Sequence, residues 1–371
     1  MQLSEIPTPA VLVDAAKLRR NLTRMQAAAS ARGIRLRPHA KTHKSPEIAR
    51  MQIEGGAAGI CCAKLGEAEV FADAGIGDIR LPYPLNPVNA DRVFALAERV
   101  ALSFIVDDPA VARVWSDLAG RRGRTLDVLI KVDVGFHRCG IDPHAGSAAS
   151  IVRDVASLPG LRFRGLLSHA GHGYAAASDK DAEAIAKDEA ALLCDLAAAS
   201  GVRCEEISVG ATPTVRHSLR QRGVTEARPG NYAYFDRTQV SLGAAAWSDC
   251  ALTVLARVVS RPARDRLILD SGSKTLSNDL APGFAPTPGY GVVLRDIAGA
   301  EPDASLLIER LSEEHATVRV ADGETPLVTG ALARIIPNHS CVVSNLVDHV
   351  WLVEDDRVVS RLPVAARGRI T

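Results

Sequence analysis

The feature that most constrains the fold is an alternation of short apolar runs with amphipathic helical segments from about residue 30 to about residue 230. The apolar runs are 34–39, 59–62, 78–81, 101–106, 126–134, 161–169, 204–210 and 226–230. Eight strands that alternate with helices predict a (β/α)8 barrel. A doubly wound open sheet would also alternate. However, no Gly-x-Gly-x-x-Gly motif follows the first run, which disfavours a dinucleotide-binding fold.

The sequence changes character after about residue 245. Helical periodicity almost disappears there, and apolar runs bounded by Gly, Pro and Asp predict strands at 251–259, 266–270, 305–311, 315–320 and 349–353. A chain of 371 residues is also long enough for two domains. We therefore predict an N-terminal (β/α)8 TIM-type barrel over residues 15–243. A C-terminal β-rich domain would comprise residues 1–14 plus 244–371, although the strand at 8–14 could pair with either domain.

Composition excludes several classes of partner. A net charge of +1 and an aromatic content of 4% give no basis for binding nucleic acid or an anionic membrane surface. The N-terminus lacks the basic and apolar regions of a signal peptide. The seven cysteines follow neither a metal-finger spacing nor a secreted disulfide pattern. We expect a cytoplasmic protein whose partner is a small molecule.

Residues 37–44, Arg-Pro-His-Ala-Lys-Thr-His-Lys, contain the first candidate catalytic group. An apolar run ends here in Lys41, which has basic residues on both sides. Neighbouring cations and burial at a strand end both favour a neutral amine, the form that attacks a carbonyl. Lys41 is therefore a candidate Schiff-base lysine. The alternative is a solvated basic turn without chemical function.

Other polar segments follow the later strands, at the barrel end where functional residues of this fold lie. These segments are 135–140 (Gly-Phe-His-Arg-Cys-Gly), 168–174 (Ser-His-Ala-Gly-His-Gly-Tyr), 208–214 (Ser-Val-Gly-Ala-Thr-Pro-Thr) and 228–232 (Arg-Pro-Gly-Asn-Tyr). Small residues after the seventh and eighth strands leave backbone N–H groups free to hold a phosphate. A lysine, a phosphate cup and the arginine Arg138 together indicate pyridoxal 5′-phosphate.

These motifs, with Pro-Asn-His-Ser-Cys at 337–341, resemble the D-threonine aldolase and D-serine dehydratase family of alanine-racemase-like (fold type III) pyridoxal-phosphate enzymes. The resemblance extends from Thr8 to Gly368. It implies that Lys41 binds the cofactor covalently and that Arg138 contacts the cofactor ring. The other residues implied to bind the cofactor are His169, Gly210, Ala211, Thr212, Gly230, Asn231 and Tyr232.

His339-Ser340-Cys341 is a second candidate chemical site. In an extended segment the first and third side chains point to the same side, so both could reach one metal ion. Imidazole and thiolate ligands favour a zinc-like ion, although manganese and magnesium also remain candidates. The alternative is a polar turn beside a small buried cysteine. The family resemblance favours the metal.

The resemblance implies a homodimeric lyase that cleaves D-threonine, or a related D-β-hydroxy-α-amino acid, into glycine and an aldehyde. His169, His172 and Tyr174 are candidates for the base that removes the hydroxyl proton. The alternative reaction is β-elimination to a 2-oxo acid and ammonia, as in D-serine or D-threo-3-hydroxyaspartate dehydratases. Cys341 favours this alternative, because some aldolases of the family have an aspartate at that position.

Two further classes are less compatible with the sequence. A racemase would need a second base from the β-rich domain, and Tyr290 is the only tyrosine after residue 245. Its Pro-Gly-Tyr-Gly context does not match the racemase pattern. Barrel-only pyridoxal-phosphate-binding proteins lack the β-rich domain that this sequence predicts.

Overall fold

The computed structural model describes residues 1–284 and 288–371. The strands of these residues are β1 (Ala10–Asp14), β2 (Arg35–Leu36), β3 (Ile60–Cys61), β4 (Asp78–Pro84), β5 (Ala101–Val106), β6 (Leu126–Lys131), β7 (Leu161–Leu167), β8 (Glu206–Val209), β9 (Glu226–Ala227), β10 (Leu252–Ala263), β11 (Arg266–Leu269), β12 (Val292–Val293), β13 (Leu306–Leu311), β14 (Ala316–Val320), β15 (Leu332–Ile336), β16 (His349–Glu354) and β17 (Arg357–Pro363). The helices are α1 (Ala15–Ser30), α2 (Pro46–Glu54), α3 (Leu65–Asp73), α4 (Ala90–Ala97), α5 (Pro109–Arg121), α6 (Ala148–Ala156), α7 (Asp179–Ser200), α8 (Val215–Ser218), α9 (Arg237–Ser241), α10 (Ser273–Leu276) and α11 (Ser340–Asn345).

The chain divides into two compact units, which we call the barrel unit and the β-rich unit. The barrel unit comprises Met25–Lys41, Ile48–Gly230 and Gly368–Thr371. The β-rich unit comprises Met1–Arg24, Thr42–Glu47 and Asn231–Arg367. Every residue of the barrel unit lies within the described ranges.

The barrel unit contains a parallel sheet in the strand order β2-β9-β8-β7-β6-β5-β4-β3. The two outer strands of this order meet through a parallel bridge between His39 and Cys61, where the Cys61 N–H donates to the Pro38 carbonyl over 2.7 Å. The sheet therefore closes, which confirms the predicted (β/α)8 barrel. Because all its strands are parallel, their carboxyl ends form one mouth.

The barrel helices begin and end at residues suited to those positions. Asp108 caps α5 by accepting a hydrogen bond from the Ala110 N–H over 2.7 Å, and Pro109 occupies the first helical position. The long helix α7 begins after Ser178 and ends at Gly201, whose φ of +66° favours glycine. Among the described residues, no helix is both long and apolar enough to cross a membrane.

Paired charges fill part of the barrel interior, which the sequence did not indicate. The Glu226 carboxylate accepts hydrogen bonds from Arg80 and, over 2.9 Å, from Arg37, while Arg80 also pairs with Glu206 over 2.8 Å. Burial opposes ionisation of Glu226, but the two arginines outweigh it and lower the pKa of this carboxyl to about 2. The buried carboxylate is therefore ionised and fully paired.

The β-rich unit contains a sheet in the order β13-β14-β11-β10-β1-β16-β17, and β15 pairs with both β10 and β12. The N-terminal strand β1 lies in this sheet, antiparallel to β10 and parallel to β16. Sequence reasoning did not find β12, β15 or β17 in this unit. Strand β12 has only two residues, and β17 alternates exposed and half-buried positions, so neither presents an apolar run.

Candidate active site

Lys41 lies in a short 3-10 helix, Ala40–Thr42, just beyond the end of β2. Its side chain is exposed, whereas Thr42 and His43 are buried. The predicted position at a strand end is observed, but the expectation of burial was wrong. The Lys41 side chain is thus open to solvent, yet it is near enough to His169 to lower the pKa of that imidazole.

A tight loop follows β6 and carries Arg138. The Asp133 carboxylate accepts hydrogen bonds from the N–H groups of Gly135, Phe136 and His137, at 3.0, 3.1 and 3.0 Å. Burial opposes ionisation of Asp133, yet these N–H donors and the His137 ring lower the pKa of the carboxyl. The Arg138 guanidinium lies 4.9 Å from the centre of the Phe136 ring. The loop therefore holds Arg138 and Phe136 in one fixed arrangement.

His169 follows β7, and its protonation state is determined by its surroundings. Burial and the cationic side chains of Lys41 and Lys131 hold the pKa of its imidazole well below the ordinary value of 6.5. Nδ1 lies 2.5 Å from the Gly210 carbonyl oxygen, which can only accept a hydrogen bond. His169 is therefore neutral with its proton on Nδ1, and the lone pair on Nε2 can accept a proton or a hydrogen bond.

His172 and Tyr174 lie in the next 3-10 helix, Gly171–Ala175. The Nδ1 atom of His172 is buried and has no hydrogen-bond partner among the described residues. A Cβ atom at Gly135 would lie 3.6 Å from Cε1 of His172, so the arginine loop and the His172 ring are neighbours. His172 thus has a ring nitrogen available for a ligand, in contrast to the Nδ1 of His169.

Gly210, Ala211 and Thr212 follow β8 in the barrel unit, and Gly230 follows β9. A Cβ atom on Gly210 would lie 3.1 Å from the backbone of Arg228, so only a small residue fits there easily. The hydroxyl of Thr212 is buried and has no partner within residues 1–284 and 288–371. This segment has the small residues expected of a phosphate cup, and the Thr212 hydroxyl is a further donor; the predicted backbone N–H contacts stay a prediction.

Asn231 and Tyr232 lie in the 3-10 helix Asn231–Ala233 of the β-rich unit. The Asn231 side-chain amide donates to Asp236 over 2.6 Å and to the Cys341 sulfur over 3.5 Å. Its carbonyl oxygen Oδ1 is buried without a partner among the described residues. Asn231 is therefore in contact with a predicted metal ligand, which sequence reasoning did not foresee.

His339 and Cys341 come together, but the local structure differs from the predicted extended segment. His339 has extended backbone (φ −141°) and immediately precedes α11, while Cys341 lies in the first turn of that helix. The side chains of His339 and Cys341 are hydrogen-bonded to each other. A residue before a helix and one in its first turn can share a side, so the pair forms without strand geometry.

The electrostatics of this pair favour charge separation. Burial opposes protonation of His339, but Cys341, Asp236 and Asp279 raise the pKa of its imidazole to about 10. Burial also opposes ionisation of Cys341, yet His339 lowers the pKa of the thiol below its ordinary value. The Thr42 hydroxyl oxygen lies 3.3 Å from the Sγ atom of Cys341. Each member of the pair therefore favours the charged form of the other.

Comparison with known proteins identifies the family. The model described as "Alanine racemase, N-terminal domain" matches residues 13–238, and "Putative serine dehydratase domain" matches residues 251–353. A D-threonine aldolase of Arthrobacter sp is 32% identical, with 99% of this chain and 94% of the relative covered. The chain belongs to the D-threonine aldolase and D-serine dehydratase family. The resemblance predicted from the motifs is confirmed, and with it membership of the fold type III pyridoxal-phosphate enzymes.

A dehydratase of this family is also similar, both in sequence and in a solved structure. The D-threo-3-hydroxyaspartate dehydratase of Delftia sp. (strain HT23) is 34% identical, covering 91% of this chain and 92% of the relative. A solved structure of a D-threo-3-hydroxyaspartate dehydratase with one cysteine replaced by alanine, described as the metal-free form, superposes with a TM-score of 0.90. It is 31% identical and covers 98% of either chain. Aldolases and dehydratases therefore resemble this chain about equally.

The residues of the barrel unit fit the cofactor of this family. The buried Thr212 hydroxyl, which has no partner among the described residues, is a donor that a phosphate oxygen would satisfy, and Gly210 keeps the adjacent backbone open. The lone pair on His169 Nε2 and the Arg138 guanidinium are additional polar groups of the same unit. These groups suit a phosphorylated, planar cofactor.

The β-rich unit fits a metal ion with few protein ligands. No cluster of three or more His, Cys, Asp or Glu side chains suited to a metal occurs in the described part of the chain. His339 and Cys341 nevertheless supply an imidazole nitrogen and a thiolate side by side. This donor set suits a zinc-like ion whose remaining positions stay open to water or substrate, as in catalytic sites.

The structure adds two buried cations that sequence reasoning missed. Lys131, the last residue of β6, is buried; burial and the nearby Arg228 lower the pKa of its amine to about 7. Arg228 follows β9 and donates to the Ser208 hydroxyl and to the Ser168 and Val209 carbonyls. A lysine that ends an apolar strand was the available signal for Lys131. Arg228 opens the Arg-Pro-Gly-Asn-Tyr motif at 228–232, which does not by itself indicate a buried arginine.

Proposed function

We propose that this protein is a pyridoxal-phosphate- and divalent-metal-dependent lyase that cleaves D-threonine, or a related D-β-hydroxy-α-amino acid, into glycine and an aldehyde. The family, with its aldolases and dehydratases, supports a lyase. The choice of carbon–carbon cleavage depends on His172. Its buried Nδ1 atom without a partner among the described residues is suited to take the proton of a β-hydroxyl group.

The cofactor would be held by Lys41 through its amine and by the phosphate-binding segment 210–212, with Arg138 and His169 facing the ring and Gly230, Asn231 and Tyr232 completing the set. When bound, pyridoxal phosphate withdraws electrons from Cα of the amino acid. His169 stays neutral and offers Nε2 as an acceptor. Lys41, with an exposed side chain, can deliver a proton to Cα and so complete glycine.

His339 and Cys341 would hold the metal ion, which when bound polarises a substrate oxygen. The residues of the chain perform the proton transfers: His172 accepts the β-hydroxyl proton, the Cα–Cβ bond breaks, and the aldehyde leaves. His169 is a second candidate for this base, and Tyr174 a third. Zinc is favoured by the ligand types, and manganese or magnesium remain alternatives.

A specific observation supports the alternative reaction. Cys341 occupies the position at which some aldolases of the family have an aspartate, and the Delftia dehydratase is as similar to this chain as the aldolase is. In a dehydration, Lys41 would remove the Cα proton and hydroxide would leave from Cβ. The released enamine would tautomerise to an imine, which water hydrolyses to a 2-oxo acid and ammonia. This is our second candidate function.

The experiment that tests the proposal supplies purified protein, pyridoxal phosphate and zinc or manganese with D-threonine, and identifies the products. We expect glycine and acetaldehyde in equal amounts. L-Threonine should give neither product, which controls for stereochemistry. Predominant 2-oxobutanoate and ammonia would refute the aldolase assignment in favour of the dehydratase and leave the cofactor proposal intact.

Two organisational proposals accompany this function. We expect a homodimer, as the family resemblance implies, and light scattering that found a fully active monomer would contradict it. The predicted domain boundary between residues 243 and 244 also stays a prediction. Limited proteolysis that released a stable fragment ending near residue 243 would support it, whereas cleavage only at distant positions would oppose it.

A further inference from the structure

The carboxylate of Asp279 is bonded to a predicted metal ligand although it lies 60 positions away in the sequence. Its Oδ2 atom is 2.7 Å from Nδ1 of His339. The Asp279 and His339 side chains are each about 40% exposed, so both border solvent. Because a carboxylate accepts hydrogen bonds, the proton between these atoms belongs to Nδ1 of the imidazole.

Asp279 is itself held in place by its backbone. Its N–H donates to the Ser277 hydroxyl over 3.1 Å, and its carbonyl accepts from the Asn338 side-chain amide over 2.8 Å. Asn338 also donates to the Gly289 carbonyl over 2.9 Å and accepts from Arg237 over 3.2 Å. Hydrogen bonds therefore hold the segment that carries the Asp279 carboxylate. One of their partners, Asn338, directly precedes His339 in the chain.

We infer that Asp279 is a positioning residue: it keeps the proton on Nδ1 of His339 and fixes the plane of the ring, so that Nε2 is the nitrogen presented to a metal ion beside Cys341. This inference rests on the metal site proposed above. A ligand histidine generally has its second nitrogen bonded to a carboxylate or carbonyl, which orients the ring and increases its basicity.

The geometry argues against Asp279 as a third ligand. Its bonded oxygen sits at Nδ1, so Nε2 is the ring nitrogen that this carboxylate does not occupy. A metal between Nε2 and the sulfur would therefore lie across the imidazole from this carboxylate oxygen. Asp279 acts through His339 and does not touch the metal.

Calorimetric titration of metal-free protein with zinc tests this inference. We expect D279A to weaken zinc binding by about 10- to 100-fold. D279N should weaken it less, because the amide oxygen can still accept from Nδ1. D356N, which changes an exposed aspartate of the same unit, is the matched control and should bind as the parent does. H339A should abolish binding. Thermal melting without metal checks that each variant is folded.

Three outcomes would overturn the inference, and they are distinguishable. Binding by D279A within about twofold of the parent would show that the carboxylate has no positioning effect. If zinc binding were lost completely in D279A and in D279N, as it is in H339A, Asp279 would be a direct ligand. Absence of zinc binding by the parent would remove the proposed metal site itself, whereas the aldolase product test would remain a separate question.

A second readout needs no metal. In ¹⁵N-histidine spectra of metal-free protein, the His339 resonances, assigned by their loss in H339A, should show a protonated Nδ1 that exchanges slowly. In D279A this proton should exchange faster with solvent. Unchanged His339 resonances in D279A would contradict the inference, whatever the affinity measurements give.

Discussion

The barrel mouth and the His339–Cys341 pair of the β-rich unit favour opposite protonation states of histidine. In the barrel unit, burial and neighbouring cations hold the pKa of His169 well below its ordinary value and lower that of Lys131 to about 7. In the β-rich unit, Cys341 and two aspartates raise the pKa of His339 to about 10. The same imidazole group is thus neutral at one site and cationic at the other.

The difference follows from the charged side chains that surround each histidine. His169 has lysines and an arginine near it, so a further positive charge is unfavourable. His339 has Cys341, Asp236 and Asp279 near it, so a positive charge is favourable. A metal cation could take over the role of the proton at His339, whereas the barrel mouth is suited to an anionic group such as a phosphate. The contrast supports the proposal that the barrel unit supplies most of the cofactor-binding residues, whereas the β-rich unit supplies the metal ligands.

The largest effect should come from removing the barrel amine. Lys41→Ala should abolish covalent attachment of pyridoxal phosphate and lower turnover by on the order of 10³-fold or more, because both a nucleophile and a proton carrier are lost. Borohydride reduction followed by peptide mapping measures the attachment. Lys44→Met is the matched control, since Lys44 is three positions further along the chain. Its amine donates a hydrogen bond to the side-chain oxygen of Asn345 over 2.8 Å. A reduced label on Lys44 in the parent protein would contradict the assignment.

Replacing the proposed base should have a smaller effect. His172→Asn should lower kcat for D-threonine cleavage by about 10²-fold and change KM little, because a base acts in the transition state. The cofactor absorbance should persist. Tyr174→Phe, in the same 3-10 helix, is the control and should retain most activity. If Tyr174→Phe or His169→Asn lost the most activity instead, the base would be misassigned.

The smallest effect concerns stability and the buried amine of Lys131. Its pKa is about 7 in the folded protein against an ordinary value of 10.5, so between these values the unfolded chain binds more protons. The free energy of unfolding should therefore rise with pH across this window. Lys131→Met removes the cost of burying this amine. The difference in free energy of unfolding between the variant and the parent should therefore be larger at pH 6 than at pH 9, by on the order of 2 kcal/mol. Urea unfolding of cofactor-free protein at both pH values measures it. A difference in free energy of unfolding between the variant and the parent that did not change with pH would contradict the lowered pKa.

Much of the fold could be predicted from the sequence because its signals are local. Strand β5 has the predicted bounds 101–106, and the remaining barrel strands lie within or beside the predicted runs. Strands such as β15 were missed because a short stretch like Leu332–Ile336 lacks a distinctive pattern. The helix after His339 was missed for the same reason: α11 has only six residues.

The candidate site could be predicted only where its groups are close in sequence. His339 and Cys341 are two positions apart, and His169 and His172 share one loop, so motifs revealed them. Asp279 meets His339 only after folding, and the sequence around it resembles an ordinary polar loop. The charge states are likewise products of burial and long-range neighbours, which no motif reports.

Removal of the metal is the most direct test of the account that the two units carry different parts of one catalytic system. Purified protein loaded with pyridoxal phosphate is treated with a chelator, and glycine formation from D-threonine and cofactor absorbance at roughly 410–420 nm are followed together. We predict that turnover is lost and returns with added zinc or manganese, while the absorbance remains. Full activity in protein shown to be metal-free, or loss of the absorbance together with the metal, would contradict the account.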